Sequence, residues 1–241
     1  MDNDRLSQIE TAWSIVRRAH SDSSPSARDA QEQLLKQYGS AIHRYLQAAL
    51  RDSAAADDVY QDFAVRFVRG HFHNASQDKG RFRSFLKTSL FRMVADHRRA
   101  EQKKAGRHLP ADHVDETDSS DQREREFAQV WRDEMLKRAW DALAALEAES
   151  GRPWFAVMRL RVDNPTVQSP DLALLLSEEL GRRVTTGNVR VLLHRAREHF
   201  SRLLIDCISD SLNTSDVEEI EEELAELELL EYCQDALAER K

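Results

Sequence analysis

Three groups of residues in this chain have the types and spacing to do chemistry on a partner. The first is Asp57, Asp58, Gln61 and Asp62, which interrupt the apolar series Val59, Phe63 and Phe67. That series repeats at helical spacing, so the polar residues cover the remaining surface of an amphipathic helix and offer carboxylates for docking a protein. The second is a basic set, Arg81, Arg83, Lys87, Arg92, Arg98 and Arg99, with Phe91 among them. Phe82, Phe85, Leu86, Leu90 and Met93 form the apolar stripe of that helix, and Lys87, Phe91 and Arg98 fall on the opposite side. Cations there neutralise phosphates, and an exposed aromatic ring stacks on an unpaired base. The same period equally allows a solvated basic helix with Phe91 buried against a neighbour. The third group is Asn188, Arg190, Val191, His194 and Arg195, on the face opposite Val189, Leu192, Leu193, Ala196 and Phe200. Outward residues of this kind near a helix N-terminus reach base edges in a major groove.

Charge has to be resolved by segment before it agrees with nucleic-acid binding. The 241 residues carry a net charge of −8. From Asp210 onward, twelve acidic residues stand against Arg240 and Lys241, so this tail holds −10 and the rest of the chain +2. Within Phe63 to Arg107, twelve Lys and Arg residues face only Asp78, Asp96 and Glu101, a local excess of +9. Such a concentration of positive charge is an electrostatic footprint for a polyanion.

Seven Gly and five Pro, with abundant Ala, Leu, Glu and Arg, predict an all-α fold. Leu6, Ile9, Trp13 and Val16 predict a first helix ending near His20, broken by the Ser-rich stretch around Pro25. A second helix from about Ala27 carries Leu34, Leu35, Tyr38, Ile42, Tyr45, Leu46 and Leu50 as core. After Arg107 the period is lost, and residues 108–124 are expected to be a flexible linker. A second helical domain is expected over 125–212, with Phe127, Val130, Trp131, Met135, Leu136, Trp140, Leu143 and Leu146 as its first stripe. It includes a helix–turn–helix: one helix from Pro170 to Leu180, a turn from Gly181 to Val184, and a second helix capped by Thr185 or Thr186. Residues 213–241 are expected to be an acidic helix with Ile220, Leu224, Leu227, Leu230 and Leu237 on one side. Its acids either remain in water while its apolar side packs on the second domain, or cover the basic helix before it.

The chemistry of an enzyme is not legible. No nucleophile–base triad, ligand-spaced Cys or His set, or Gly-rich phosphate loop stands out, so neither a cofactor nor a metal is expected. Asp57 and Asp58 can imitate a catalytic dyad, but their place on an exposed amphipathic helix argues for docking. Cys207 and Cys233 lie far apart in sequence, as in a reduced cytoplasmic protein, and no apolar run reaches membrane-spanning length.

The run Asp57-Asp58-Val59-Tyr60-Gln61-Asp62-Phe63, followed by Gly80-Arg81-Phe82-Arg83-Ser84-Phe85-Leu86, resembles regions 2.2 to 2.4 of bacterial sigma-70-type factors, in particular the extracytoplasmic-function (ECF) group. Thr11-Ala12-Trp13-Ser14 resembles the start of one ECF subgroup, which often has a short acidic extension. Val189 to Arg197, ending in Arg-Ala-Arg, resembles sigma region 4. The resemblance implies a region 2-like domain over 1–107 and a region 4-like domain over 125–212. It further implies that Asp57, Asp58, Gln61 and Asp62 dock on the β′ clamp helices of core RNA polymerase. By the same analogy, the basic helix opens and reads the promoter −10 element, and the second domain reads the −35 element and touches the β flap. An anti-sigma factor or a Ser/Thr kinase is a further partner the family suggests, and no membrane is involved. Phe85 and Arg92 depart from the family, which often has Trp and Asn there. Two other readings fit the residues: a stand-alone helix–turn–helix regulator, and a sigma-like decoy that holds polymerase without initiating.

Overall fold

Two residues, Arg51 and Asp52, join the first two described helices and so force them into a tight hairpin. Arg51 takes the left-handed conformation (φ 55°) that ends one helix. Asp52 then caps the next, its Oδ1 accepting from the backbone N–H groups of Ala54 (2.9 Å) and Ala55 (3.2 Å). The computed structural model describes residues 25–69, 82–104, 116–212 and 214–240. The expected helix before His20, the Thr11–Ser14 motif, the break before Arg81, and Arg81 itself lie outside the described residues.

Nine helices and no strand are found among the described residues: α1 (Pro25–Leu50), α2 (Ser53–Val68), α3 (Phe82–Lys104), α4 (Glu116–Ser150), α5 (Trp154–Asp163), α6 (Ser169–Leu180), α7 (Thr186–Leu212), α8 (Val217–Glu226) and α9 (Leu230–Ala238). The protein is all-α, as its composition predicts. The chain clusters into two compact units, with the division inside α4 after Glu134.

In the first unit, Leu34, Tyr38, Ile42, Tyr45 and Leu46 of α1 are fully buried with Phe63 and Phe67 of α2 and Leu86 and Leu90 of α3. These are the apolar positions that the helical period picks out. α1 and α2 approach closely at Gly39, where an added Cβ would stand 2.5 Å from the Tyr60 hydroxyl. A glycine inside a helix costs up to about 1 kcal/mol relative to Ala; here it makes room for a neighbouring phenol.

The expected linker is where the structure differs most from the sequence reading. Residues 108–115 lie outside the described residues, but 116–124 are helical, part of α4. Phe127 and Trp131, expected in the second domain, are buried in the first unit instead. Trp131 stacks on Tyr38 (5.6 Å, 7°), and Phe127 meets Tyr45 edge-on (5.3 Å, 76°). Glu134, only 5 % exposed, accepts from Arg44 at 2.6 Å and from the Ser40 hydroxyl at 3.3 Å. A carboxylate that dry needs its cation, so α4 is tied to α1 by charge as well as by area. The aromatic residues belong to whichever core lacks them, and periodicity cannot say which.

In the second unit, Ala156, Val157, Leu172, Ala173, Leu176, Val189, Leu193 and Ala196 form one apolar cluster from α5, α6 and α7. Trp140 packs on Phe155 (5.7 Å) and Phe200 (5.1 Å). The acidic tail is two helices rather than one. Glu228 adopts φ 57°, and the N–H groups of Glu228 and Leu229 bond back to Ala225 O and Leu224 O. This is the helix-ending motif normally given to glycine, so the sequence carries no signal for the break. Ile220, Leu224, Leu227, Cys233 and Leu237 of the tail are buried. Burial pushes the Cys233 thiol pKa up to about 11, which keeps it a protonated, unreactive core residue.

Candidate functional site

On α2, burial of Ala56, Val59, Phe63 and Phe67 turns the acidic residues outward. Asp57, Asp58, Gln61 and Asp62 are all exposed. Two of them have partners on their own chain: Asp57 meets His43 at 2.6 Å, and Asp62 holds Arg66 through Nε (3.0 Å) and a terminal nitrogen (2.8 Å). Asp58 and Asp62 also line a groove with Met93, Asp96 and His97 of α3. Val65 and Val68 are half exposed and continue the helix face that Gln61 begins. Sequence reading gave no role to these two valines. Their exposure at i+4 and i+7 from Gln61 makes the face acidic at one end and apolar at the other.

The basic residues of α3 divide between two sides. Arg92 and Arg99 are exposed, Arg99 pairing with Asp96 at 3.0 Å. Lys87 turns toward Glu124 of α4 (3.6 Å), and Arg98 donates to the Ala49 carbonyl at 2.7 Å. Arg83 is half buried. Phe91 is not the open stacking platform that one sequence reading expected. It packs against Tyr45 (5.7 Å) and Phe127 (6.2 Å, edge-on), and the Arg123 guanidinium lies 5.9 Å from its ring centre. The cause is the first half of α4, which occupies space that a linker would have left empty. Tyr45 lies beneath this cluster; burial raises its phenol pKa, against the opposing pull of Arg123.

The third group is presented as its spacing predicts. Leu172, Ala173 and Leu176 of α6 and Val189, Leu193 and Ala196 of α7 are buried, which turns Asn188, Arg190, Val191, His194 and Arg195 outward. All five are exposed, and His194 stands 3.5 Å from Glu198. The turn between the helices is held by three local devices. Gly181 takes φ 62°, with Arg182 N–H bonding to Ser177 O. The Ser177 hydroxyl donates to Ala173 O (2.6 Å) and accepts from Val184 N–H (2.9 Å). Thr185 caps α7, its hydroxyl accepting from Asn188 N–H at 3.2 Å.

The acidic tail lies against the later part of α7. Ser201 donates to Tyr232 O at 2.8 Å, Arg202 pairs with Glu239 at 2.8 Å, and Arg240 pairs with Asp206. Of the five outward residues, His194 shares a groove with the tail, beside Tyr232 and Asp235. These contacts favour the packed-helix reading of the tail over the masking one. On the same helix, burial, and then the charge of Arg202, lower the pKa of His199, whose ring packs on Trp154 at 4.0 Å.

Among the described residues no cluster of three or more His, Cys, Asp or Glu could hold a metal, and no helix is long and apolar enough to cross a membrane.

Residues 34–104 match the family model for sigma-70 region 2. The matched span contains both the acidic face of α2 and the basic helix α3. The match makes this stretch, under a third of the chain, similar to region 2 of sigma-70 factors. No curated protein and no solved structure matches the chain.

Proposed function

We propose that this protein is an ECF-type sigma factor. It binds core RNA polymerase through α2 and directs it to promoters whose −10 and −35 elements it reads with the first and second units. The observation that carries the reading is the order of two opposed surfaces within the region 2 match: an exposed acidic face on α2, then a basic helix, α3. Carboxylates on a helix exterior dock a basic partner, and the arginines of α3 serve a polyanion. In the second unit, α6 and α7 form a helix–turn–helix whose outward residues suit a major groove. No catalysis by this chain is needed, because a sigma factor supplies positioning and the polymerase supplies the chemistry. Regulation by an anti-sigma factor or a Ser/Thr kinase stays an expectation drawn from the family.

Reversing charge at both positions, Asp58→Lys with Asp62→Lys, is expected to weaken core binding, with the larger loss at low salt, because rim charges act through screened attraction. Each exposed pair is worth at most about 1 kcal/mol to the fold, so losing the Asp62–Arg66 contact leaves α2 intact. A pull-down with purified core measures the effect. Full affinity in the double variant would remove α2 as the docking face.

A further inference from the structure

The acidic residues of α2 are not all held in the same way. Asp62 is tied within its own helix by Arg66, whereas Asp57 is tied to α1, where the Nε2 of His43 stands 2.6 Å from its Oδ1. A carboxylate only accepts hydrogen bonds, so Nε2 carries the proton and donates. Neighbouring contacts fix the direction of that donor. The imidazole meets the Tyr60 ring edge-on (5.6 Å, 89°). The Tyr60 hydroxyl in turn sits against Gly39, one turn before His43 on α1. A side chain of α1 therefore sets the orientation of a carboxylate on the exposed face of α2. The Asp57 side chain is still 55 % exposed, against 32 % for His43, so it is the carboxylate that meets a partner.

We infer that His43 is a positioning residue for the docking face: it holds the Asp57 carboxylate in one orientation, ready for a cationic group of the partner. The inference rests on the reading of α2 as the polymerase-docking face and extends it to a residue of α1. A free surface carboxylate gives up rotamer freedom when a partner captures it, and an orientation fixed beforehand removes that cost. The bond leaves the face its negative charge, because a neutral imidazole donates without cancelling the carboxylate.

The test measures dissociation of the full chain from immobilised, purified core polymerase. His43→Ala should dissociate about two- to fivefold faster, the span of one exposed side-chain pair. Its salt dependence should stay that of the wild type, since Asp57 keeps its charge. His43→Gln keeps a nitrogen donor and should restore most of the lifetime. Asp57→Ala should dissociate at least as fast as His43→Ala. Adding His43→Ala to Asp57→Ala should then cause no further loss, because the imidazole acts through the carboxylate. A merely structural role, or damage to the fold, would cause the same loss in both backgrounds and overturn the assignment. Unchanged or slower dissociation of His43→Ala would overturn it too. If Asp58→Lys with Asp62→Lys weakens core binding while His43→Ala does not, the docking face stands and the positioning role alone falls. If neither weakens it, the docking face falls as well.

Discussion

Replacing Trp131 by Ala is expected to destabilise the first unit by about 3–5 kcal/mol, the range for emptying an aromatic site in a packed core. Trp131 is 1 % exposed and stacks on both Tyr38 and Phe127 (5.9 Å to the latter). Its indole N–H finds no acceptor among the described residues, so the ring contributes through packing alone. Chemical denaturation followed by circular dichroism measures the loss. A change below about 1 kcal/mol would mean that the first half of α4 is not part of this core. The outcome bears on function as well, because the same segment places Arg123 beside Phe91.

Arg190→Ala is the variant expected to cost most in DNA reading. If Arg190 makes a two-point contact to a guanine, its loss weakens promoter binding by about 1–3 kcal/mol and relaxes preference at one or two adjacent base pairs. Arg195 should behave alike if it reads a base. Competition with a set of −35 variants, using holoenzyme, separates the cases. Uniform weakening across all sequences would make the residue a phosphate contact, and no weakening would mean that this face of α7 does not meet DNA. Stability should be untouched, since Arg190 is exposed and its neighbour Val189 carries the burial.

Much of this was legible in the residues because helices declare their inner side. Val59, Phe63 and Phe67 define the buried side of α2 and so its acidic exterior; Val189, Leu193 and Ala196 do the same for α7. Gly181 and Thr185 mark the turn between α6 and α7 because a left-handed residue and an N-cap have few substitutes. What stayed hidden has common physical roots. The polar, acidic residues from Glu116 to Asp121 look like a linker, yet they open a helix whose stability comes from Phe127 and Trp131 further along. Tertiary packing decided that element, not local composition. Phe91 was ambiguous for the same reason, since whether a ring is free depends on what covers it. Glu228 ends a helix in a conformation that its side chain does not favour, so the apolar period of the tail predicts one helix where there are two.

The account turns on whether this chain makes core polymerase start at chosen sites. Run-off transcription with purified core enzyme, a promoter library and the full-length protein tests that directly. The account predicts no transcript from core alone, and defined start sites when the protein is added. Those starts should share −10 and −35 sequences, and the Asp58→Lys, Asp62→Lys variant should abolish them. Binding to core with no initiation at any promoter would contradict the account and make the protein a decoy. Specific DNA binding without core would instead make it a stand-alone regulator.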